Sequence, residues 1–291
     1  MSASLSTAAS SSHRPARGRA FRPLALAGAG LVLAATPRPA GAADQLVLPA
    51  TSALAPQPAE TKGSNWTIIL GAGALVAPAY EGSDKIKVTP GPFVSVNWKD
   101  RIFLETEYGL GVNVVRTDAV RLGVSIGMAP GRNEDDDKGH LRGMGDIDMA
   151  ARGHVFGSYS FGTVQLGVDV TKDFGGSEGL RIRPSVSVKV PLSDSWTLSS
   201  GISATWANDD YMQAFFGVTP EQARRSGHDR FDAEAGFKSV DFRVGLNWQI
   251  SEGWVAVATA GVGVLVGDAA DSPITERQVQ PVVGLAIGYK F

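Results

Sequence analysis

Charged side chains of both signs recur within apolar, alternating segments of this 291-residue chain. Alternate residues of an extended segment share one face, where carboxylates and cations can pair with each other or line a polar conduit. We expect these residues to line a barrel lumen: Glu105, Glu107, Arg121, Asp148, Arg152, Asp169, Arg181, Arg183, Lys189, Asp241 and Arg243. The near balance of signs favours internal pairing that seals the lumen, and a narrow polar pore is the alternative.

Three histidines lie beyond residue 42, and they offer little for catalysis. His140 and His228 fall in predicted loops, whereas His154 lies beside Arg152 on the inward face, where a hydrogen-bonding role is expected. A barrel hydrolase would need a serine, a histidine and an orienting acid together at one rim. We therefore predict a protein that is not an enzyme, with no catalytic residue and no cofactor.

An acidic run at residues 134–137, Glu-Asp-Asp-Asp, raises the question of a metal site. It lacks the alternating acidic spacing and the terminal glutamate of a dedicated calcium loop. We predict no metal site there. The expected structure is a solvated acidic loop that can meet the divalent ions bridging lipopolysaccharide.

The amino-terminal residues predict export. Four arginines (Arg14, Arg17, Arg19 and Arg22) precede a short apolar stretch at 24–35, and Ala40-Gly41-Ala42 offers a small-x-small cleavage site. This pattern predicts a signal peptide over 1–42, followed by a flexible Ala/Pro-rich periplasmic leader over 43–64. Cleavage would remove five arginines and shift the formal net charge from −2 to about −7, so nucleic acid is not an expected partner. The chain contains no cysteine, which rules out disulfides.

Residues 65–291 predict one all-β domain. From Trp66 onward, roughly ten-residue alternating segments are separated by turn residues, which is the pattern of membrane strands. Eleven segments are recognisable, and a barrel with both ends in the periplasm needs an even number, so we expect one merged strand within 87–115 or near 231–237. The prediction is a closed antiparallel transmembrane β-barrel of about 12 strands, with 10 as the fallback. Short turns would be periplasmic, and long loops at 130–145, 172–179, 207–236 and 267–278 extracellular. A secreted β-sandwich is the alternative, but one face of each segment is almost wholly aliphatic, as lipid contact requires.

The loop at 207–236 has its own local signals. Thr219-Pro220-Glu221-Gln222 combines a capping residue, a first-turn proline and a capping-box glutamine, so a helix should run from Thr219 to about Ser226 and end at Gly227. The aromatic residues Tyr211, Phe215 and Phe216 precede it. We expect them to plug the barrel mouth, and contact with a partner is the alternative.

The last segment, QPVVGLAIGYKF, predicts the strand that closes the barrel. Leu285, Ile287, Tyr289 and Phe291 share one apolar face that ends in an aromatic pair, as lipid-facing strands commonly do. Such a strand is also the expected contact for the barrel-assembly machinery, and outer-membrane lipid and lipopolysaccharide would surround the finished barrel.

Several motifs outside the strands resemble a known family. They are PAYEGS at 78–83, RGMGDID at 142–148, TWANDDYM at 205–212, FFGV at 215–218, Ala223 with Ser226-Gly227, GDAADSPI at 267–274 and the closing GYKF. Together they resemble the MltA-interacting protein (MipA)/OmpV family of outer-membrane proteins over most of 66–291. One departure is that His228 and Phe231 follow Ser226-Gly227 where the family usually has leucine and then tyrosine, which puts a detailed role of that loop surface in doubt.

The resemblance implies a non-enzymatic barrel in the outer membrane of a Gram-negative bacterium. It further implies a scaffold that links a lytic transglycosylase to a peptidoglycan synthase, with the 43–64 leader as one candidate contact. A porin-like channel for small polar solutes and a surface adhesin that acts through the extracellular loops remain the alternatives.

Overall fold

The computed structural model describes residues 65–291, so the predicted signal peptide and leader lie outside the described residues. The strands are β1 (Trp66–Pro78), β2 (Ile86–Trp98), β3 (Ile102–Glu105), β4 (Gly109–Arg116), β5 (Val120–Ala129), β6 (Ala150–Phe161), β7 (Val164–Phe174), β8 (Leu180–Pro191), β9 (Trp196–Ala207), β10 (Gly236–Gln249), β11 (Trp254–Leu265) and β12 (Val279–Lys290). Each strand is antiparallel to its sequence neighbours, and β12 pairs with β1 to close the barrel. The prediction of twelve strands is confirmed.

The merged strand lies in the first of the two regions where we expected it. Residues 102–114 look like one segment in the sequence, but the chain reverses at residues 106–108. β3 then pairs with β4: Ile102 lies opposite Val112, and Glu105 lies opposite Gly109. The apolar even-numbered residues face outward on both sides of this turn, so the alternation continues across it without a visible break. The hydrophobic pattern therefore could not show that two strands were present.

The outer surface carries the aliphatic face of the strands. Val114, Met128, Val155 and Leu285 are each more than half exposed, and large apolar residues occupy outward positions on every strand. A belt of this kind is stable only against hydrocarbon, so the fold is a transmembrane barrel. No helix within residues 65–291 is long and apolar enough to cross a membrane.

Aromatic side chains form a girdle at the end of the barrel that carries the short turns. Trp196 stacks on Trp248 with ring centroids 4.9 Å apart, and Trp254 meets Tyr289 edge-on at 5.3 Å. Indole and phenol rings favour the lipid–water interface because one part of the ring system is apolar and the other can reach water. This end is the periplasmic one, because the short turns belong there.

The connections at the opposite end contain the helical segments. They are residues 79–85, 130–149, 175–179, 208–235 and 266–278, which include a 3-10 turn (Glu134–Asp137), α1 (Asp209–Phe216), α2 (Pro220–Ser226) and α3 (Asp268–Asp271). The predicted helix is confirmed as α2: Thr219 caps it, Gln222 completes the capping box, and Gly227 ends it at φ 83°. The sequence analysis did not anticipate α1, which Asn208 caps by accepting a hydrogen bond from the Tyr211 N–H.

Inward glycines make room for large side chains inside the barrel. A Cβ added to Gly111 would lie 2.2 Å from the Phe103 ring, and one added to Gly123 would lie 2.4 Å from the Phe156 ring. A Cβ on Gly261 would lie 2.7 Å from Cγ of Arg243. These strand glycines therefore serve packing, as expected for close approach within a sheet.

We predict that Gly111→Ala destabilises the barrel by about 1–3 kcal/mol, because the new methyl group forces the Phe103 ring to move in a filled interior. Gly91→Ala is the matched control, since an added Cβ there has no atom within 4 Å. Equilibrium unfolding in urea, followed by the tryptophan fluorescence of vesicle-bound protein, measures both changes. Equal stability of the two variants would contradict the packing role.

Candidate functional site

The extracellular loops fold into a cap over the barrel mouth. We define the cap by its buried apolar side chains: Ala79, Tyr80, Leu141, Met144, Tyr211, Met212, Phe215, Phe216, Val218, Ala269 and Ile274. Tyr211, Phe215 and Phe216 are 0%, 6% and 0% exposed. These three aromatic residues therefore lie inside the cap and are not presented to the extracellular side as a contact surface.

Hydrogen bonds to main-chain carbonyls fix the cap. The Tyr80 hydroxyl donates to the Ile274 carbonyl at 2.9 Å, and the Arg132 guanidinium donates to the Phe215 carbonyl at 2.9 Å. Burial lowers the pKa of Arg132 to about 10, and burial raises the pKa of Tyr80, so the arginine stays charged and the tyrosine neutral at physiological pH. The cap thus joins four separate connections into one folded layer.

A buried ion pair ties the cap to the wall. The Lys238 ammonium contacts the Glu81 carboxylate, whose other oxygen accepts a hydrogen bond from the Tyr211 hydroxyl at 2.9 Å. Lys238 points inward because the pairing of β9 with β10 shifts register between Phe237 and Ser239. The sequence analysis missed Lys238 because strict alternation does not reveal a bulge. It also missed Glu81, which lies in the connection between β1 and β2.

Further ion pairs cross the upper lumen. Arg152 binds Asp173 through two parallel contacts of 2.5 and 2.8 Å, and both side chains are 3% exposed. Asp169 lies 3.5 Å from both Arg183 and Nδ1 of His154. Most of the charges predicted for the lumen therefore have partners there, and Asp173, which had been assigned to a loop, is one of those partners.

The remaining predicted lumen charges differ in placement. Arg243 lies 3.5 Å from Asp241, and Arg181 packs over the Tyr211 ring at 5.0 Å. Lys189 is an inward residue of β8 and is half-buried near the periplasmic end, where its N–H donates to the Thr163 carbonyl. Asp148 is an error of the prediction: it is exposed in the 130–149 connection, because β6 begins only at Ala150.

The β3–β4 hairpin contributes Phe103 and Tyr108 to an aromatic cluster in the lumen. Arg121 donates to the Asn113 side chain at 2.8 Å, and its guanidinium packs against the rings of Phe103 and Phe156, 5.3 and 4.9 Å from their centroids. The two rings also contact each other, with centroids 5.9 Å apart, so cation–π attraction and ring contact hold the three side chains in one cluster. Tyr108 packs 5.3 Å from Phe156 in the same cluster.

Two glutamates of this hairpin were also predicted to face inward. Glu105 is half-buried at the end of β3, and Glu107 lies in the turn that follows. Both carboxylate oxygens of Glu107 are buried without a hydrogen-bond partner among residues 65–291. The upper lumen also contains a polar pocket of about 50 Å³ lined by Asp169, Arg181, Lys238, Asp241 and Arg243, which is small for binding an organic solute.

Charge is absent from part of the inner wall. The inward residues of β11, β12 and β1 are mainly valine, glycine, leucine and isoleucine, as at Val255, Val257, Val282 and Ile69. None of the charges predicted to line the lumen lies on these three strands.

The acidic run at 134–137 is only partly solvated. Asp135 is exposed, whereas Asp137 is buried and contacts Lys85, and Asp136 binds Lys87 at 2.7 Å. Burial alone would raise the pKa of Asp137, but hydrogen bonds from Lys85, Gly139 and His140 outweigh it and hold that pKa below its usual value. The prediction of a solvated loop is thus wrong for two of the four residues.

One group of carboxylates in the cap could hold a cation. Asp84, Asp137 and Glu276 each offer an oxygen, and the three oxygens lie within 4.8 Å of one another. Lys85 already neutralises part of this charge through Asp137.

We predict that Lys238→Met destabilises the protein by about 3–5 kcal/mol, because it leaves the buried Glu81 carboxylate without its cation. The double variant Glu81→Gln/Lys238→Met should recover much of this loss. Arg230→Met, which removes the exposed ion pair with Asp232, is the control and should change stability by less than about 1 kcal/mol. The free energies of unfolding are measured in urea. If the losses caused by Glu81→Gln and by Lys238→Met simply add in the double variant, the two side chains are not coupled and the prediction is wrong.

The barrel fold is shared with several solved structures. An outer membrane channel from Pseudomonas putida F1 is 15% identical, with a TM-score of 0.41 over 78% of this chain and 94% of that chain. The outer membrane channel DcaP of Acinetobacter baumannii is 8% identical (TM-score 0.36, 78% and 96% covered), and OmpT of Vibrio cholerae is 12% identical (TM-score 0.33, 78% and 97% covered). At these identities and TM-scores the similarity carries no inference about function. Comparison with curated protein sequences gives no significant match.

The family comparison is more specific. The model of the family described as MltA-interacting protein MipA matches residues 70–291, which span the barrel from β1 to β12 together with every connection that forms the cap. The chain therefore belongs to the MipA family.

Proposed function

We propose that this protein is a non-conducting outer-membrane barrel that anchors cell-wall enzymes at the periplasmic face. The observation that carries the proposal is the occupied upper interior: a hydrophobic cap covers the mouth, and ion pairs and the cluster of Arg121 with Phe103 and Phe156 occupy the lumen below it. A barrel without a solute path acts through its surfaces. The proposal involves no catalysis, cofactor or nucleic acid.

The family description supplies the class of partner. Its name refers to an interaction with MltA, and we extend that to this chain as binding of a lytic transglycosylase, together with a peptidoglycan synthase as the second enzyme of a scaffold. The binding surface would comprise the periplasmic turns, of which residues 99–101 carry exposed charge, and the 43–64 leader, which lies outside the described residues. The same proposal includes export by cleavage of the 1–42 signal peptide and insertion by the barrel-assembly machinery through β12.

We expect the purified protein to give no stable single-channel steps in planar lipid bilayers, because the cap over the mouth and the ion pairs below it would block the passage of solutes. The reconstituted protein should also fail to make liposomes permeable to small sugars. Steady conductance steps from the wild-type protein would overturn the sealed-barrel proposal and favour a porin-like channel.

We expect a purified lytic transglycosylase of the MltA type to bind the detergent-solubilised barrel. Charge reversal at the periplasmic turn (Lys99→Glu/Arg101→Glu), or deletion of 43–64, should weaken this binding several-fold, because both changes alter the proposed contact surface. The matched control is Arg224→Glu/Arg225→Glu, two exposed positions on α2 at the opposite end.

Surface-immobilised barrel and soluble enzyme, measured by biolayer interferometry, provide the test. No binding by the wild-type protein would remove the transglycosylase from the proposal. If the Arg224→Glu/Arg225→Glu control loses as much binding as the variants at the periplasmic turn, the contact does not lie at the periplasmic end and the proposal is wrong. Binding of whole cells that depends on α2 would support the adhesin alternative.

A further inference from the structure

The barrel wall has an opening on the extracellular side of β3. β2 is thirteen residues long, but β3 pairs only with residues 95–98 of β2. One further hydrogen bond, from the Thr106 N–H to the Val94 carbonyl, extends this contact by one residue. Above that level, within residues 65–291, no strand pairs with the edge of β2 that faces away from β1. On the far side β5 ends at Ala129. We call this opening, between residues 86–93 of β2 and residues 127–129 of β5, the window.

The exposed edge of β2 is poor in hydrogen-bond donors. The Val94 carbonyl accepts from the Thr106 N–H, and the Pro92 carbonyl accepts from the Thr106 hydroxyl at 3.3 Å, so these residues direct their backbone polar groups toward the window. Pro90 has the same strand parity and the same direction. Proline has no N–H, so these two positions present no unpaired donor, which hydrocarbon disfavours, whereas Val88 of the same parity keeps its N–H.

The window is open toward the interior. Gly91 faces inward by strand parity, yet it is exposed, and an added Cβ would find no atom within 4 Å. The inward glycines of the paired wall differ: Gly111 and Gly123 are buried, and a Cβ on either would collide with a phenyl ring. The space behind Gly91 is therefore not filled by the barrel's own side chains.

The surroundings of the window are apolar. Val88 and Met128, the outward residues on its two sides, are 62% and 60% exposed and belong to the lipid-facing belt. Above the window the 3-10 turn reaches across to β2, where Asp136 binds Lys87 and Asp137 binds Lys85. These ion pairs lie on the extracellular side of the window. The window therefore faces the outer leaflet of the membrane.

We propose that the window is a binding site for the acyl chain of an outer-leaflet lipid, which inserts into the wall between β2 and β5. A hydrocarbon chain fills apolar space without needing hydrogen bonds, which suits an edge where Pro90 and Pro92 supply no donor. A strand from another polypeptide is the competing occupant, but it would need the N–H groups that Pro90 and Pro92 lack. The inference requires insertion in a membrane and is independent of the transglycosylase partner.

The chain contains no cysteine, so single thiols can be placed without background labelling. We would introduce Gly91→Cys at the window, Leu285→Cys as the lipid-facing control and Ser187→Cys as the inward control, since Ser187 pairs with Gln165 on β7 and with Gly201 on β9. Leu285 is a good depth match, because both it and Pro90 pair with Ala74. Each variant is labelled with a nitroxide and reconstituted in phosphatidylcholine vesicles. Power saturation then measures collisions with oxygen, which concentrates in lipid, and with a nickel chelate, which stays in water.

At position 91 we expect oxygen accessibility close to that at 285, several-fold above that at 187, and low nickel accessibility. High nickel accessibility would mean a water-filled opening, and values like those at 187 would mean a closed wall; either result overturns the proposal. A benzophenone on the Gly91→Cys thiol should also capture one phospholipid by mass spectrometry, whereas the Ser187→Cys thiol should capture none. If Gly91→Cys does not fold, Thr89→Cys provides a second inward position at the window. Absence of a lipid adduct at both positions would equally refute acyl-chain binding.

Discussion

Hydrocarbon offers no hydrogen-bond partner to a peptide group, and that constraint governs this molecule. Twelve antiparallel strands satisfy it by pairing around a closed ring, with β12 returning to β1. The ring in turn forces side chains to alternate between lipid and lumen, so the charged residues must find partners inside. Where β3 is too short to complete the wall, Pro90 and Pro92 on β2 remove two of the donors that would otherwise be left unpaired.

The interior and the cap are filled by the same means. Arg152 with Asp173, and Lys238 with Glu81, place buried charges in pairs, while Arg121 packs against two aromatic rings. Buried pairs of this kind add little net stability over apolar packing, but loss of one partner is costly. They therefore favour one arrangement of loops and lumen over others, which agrees with a barrel that works through its outer surfaces.

Fold class follows from alternation, because lipid contact imposes a pattern that extends over whole strands. The strand number also required the rule that such barrels have an even number of strands, since alternation alone showed eleven segments. Helix α2 follows from Thr219, Pro220 and Gln222, whose capping chemistry is local. The pairs at Glu81–Lys238 and Arg152–Asp173 do not follow from sequence, since one depends on a bulge in β10 and the other on where β7 ends. Asp148 was misplaced for a related reason: nothing in its neighbourhood marks the start of β6. The window was also hidden, because β3 and β4 share one alternation.

The seam between β1 and β12 joins segments about 200 residues apart in sequence. Before contacts between such distant segments can stabilise the fold, the chain must lose the conformational entropy of a very long loop. β1 thus keeps one edge without its native partner until the final strand has been delivered. A periplasmic holdase, or a folding catalyst that occupies this edge, would solve the kinetic problem that the topology creates.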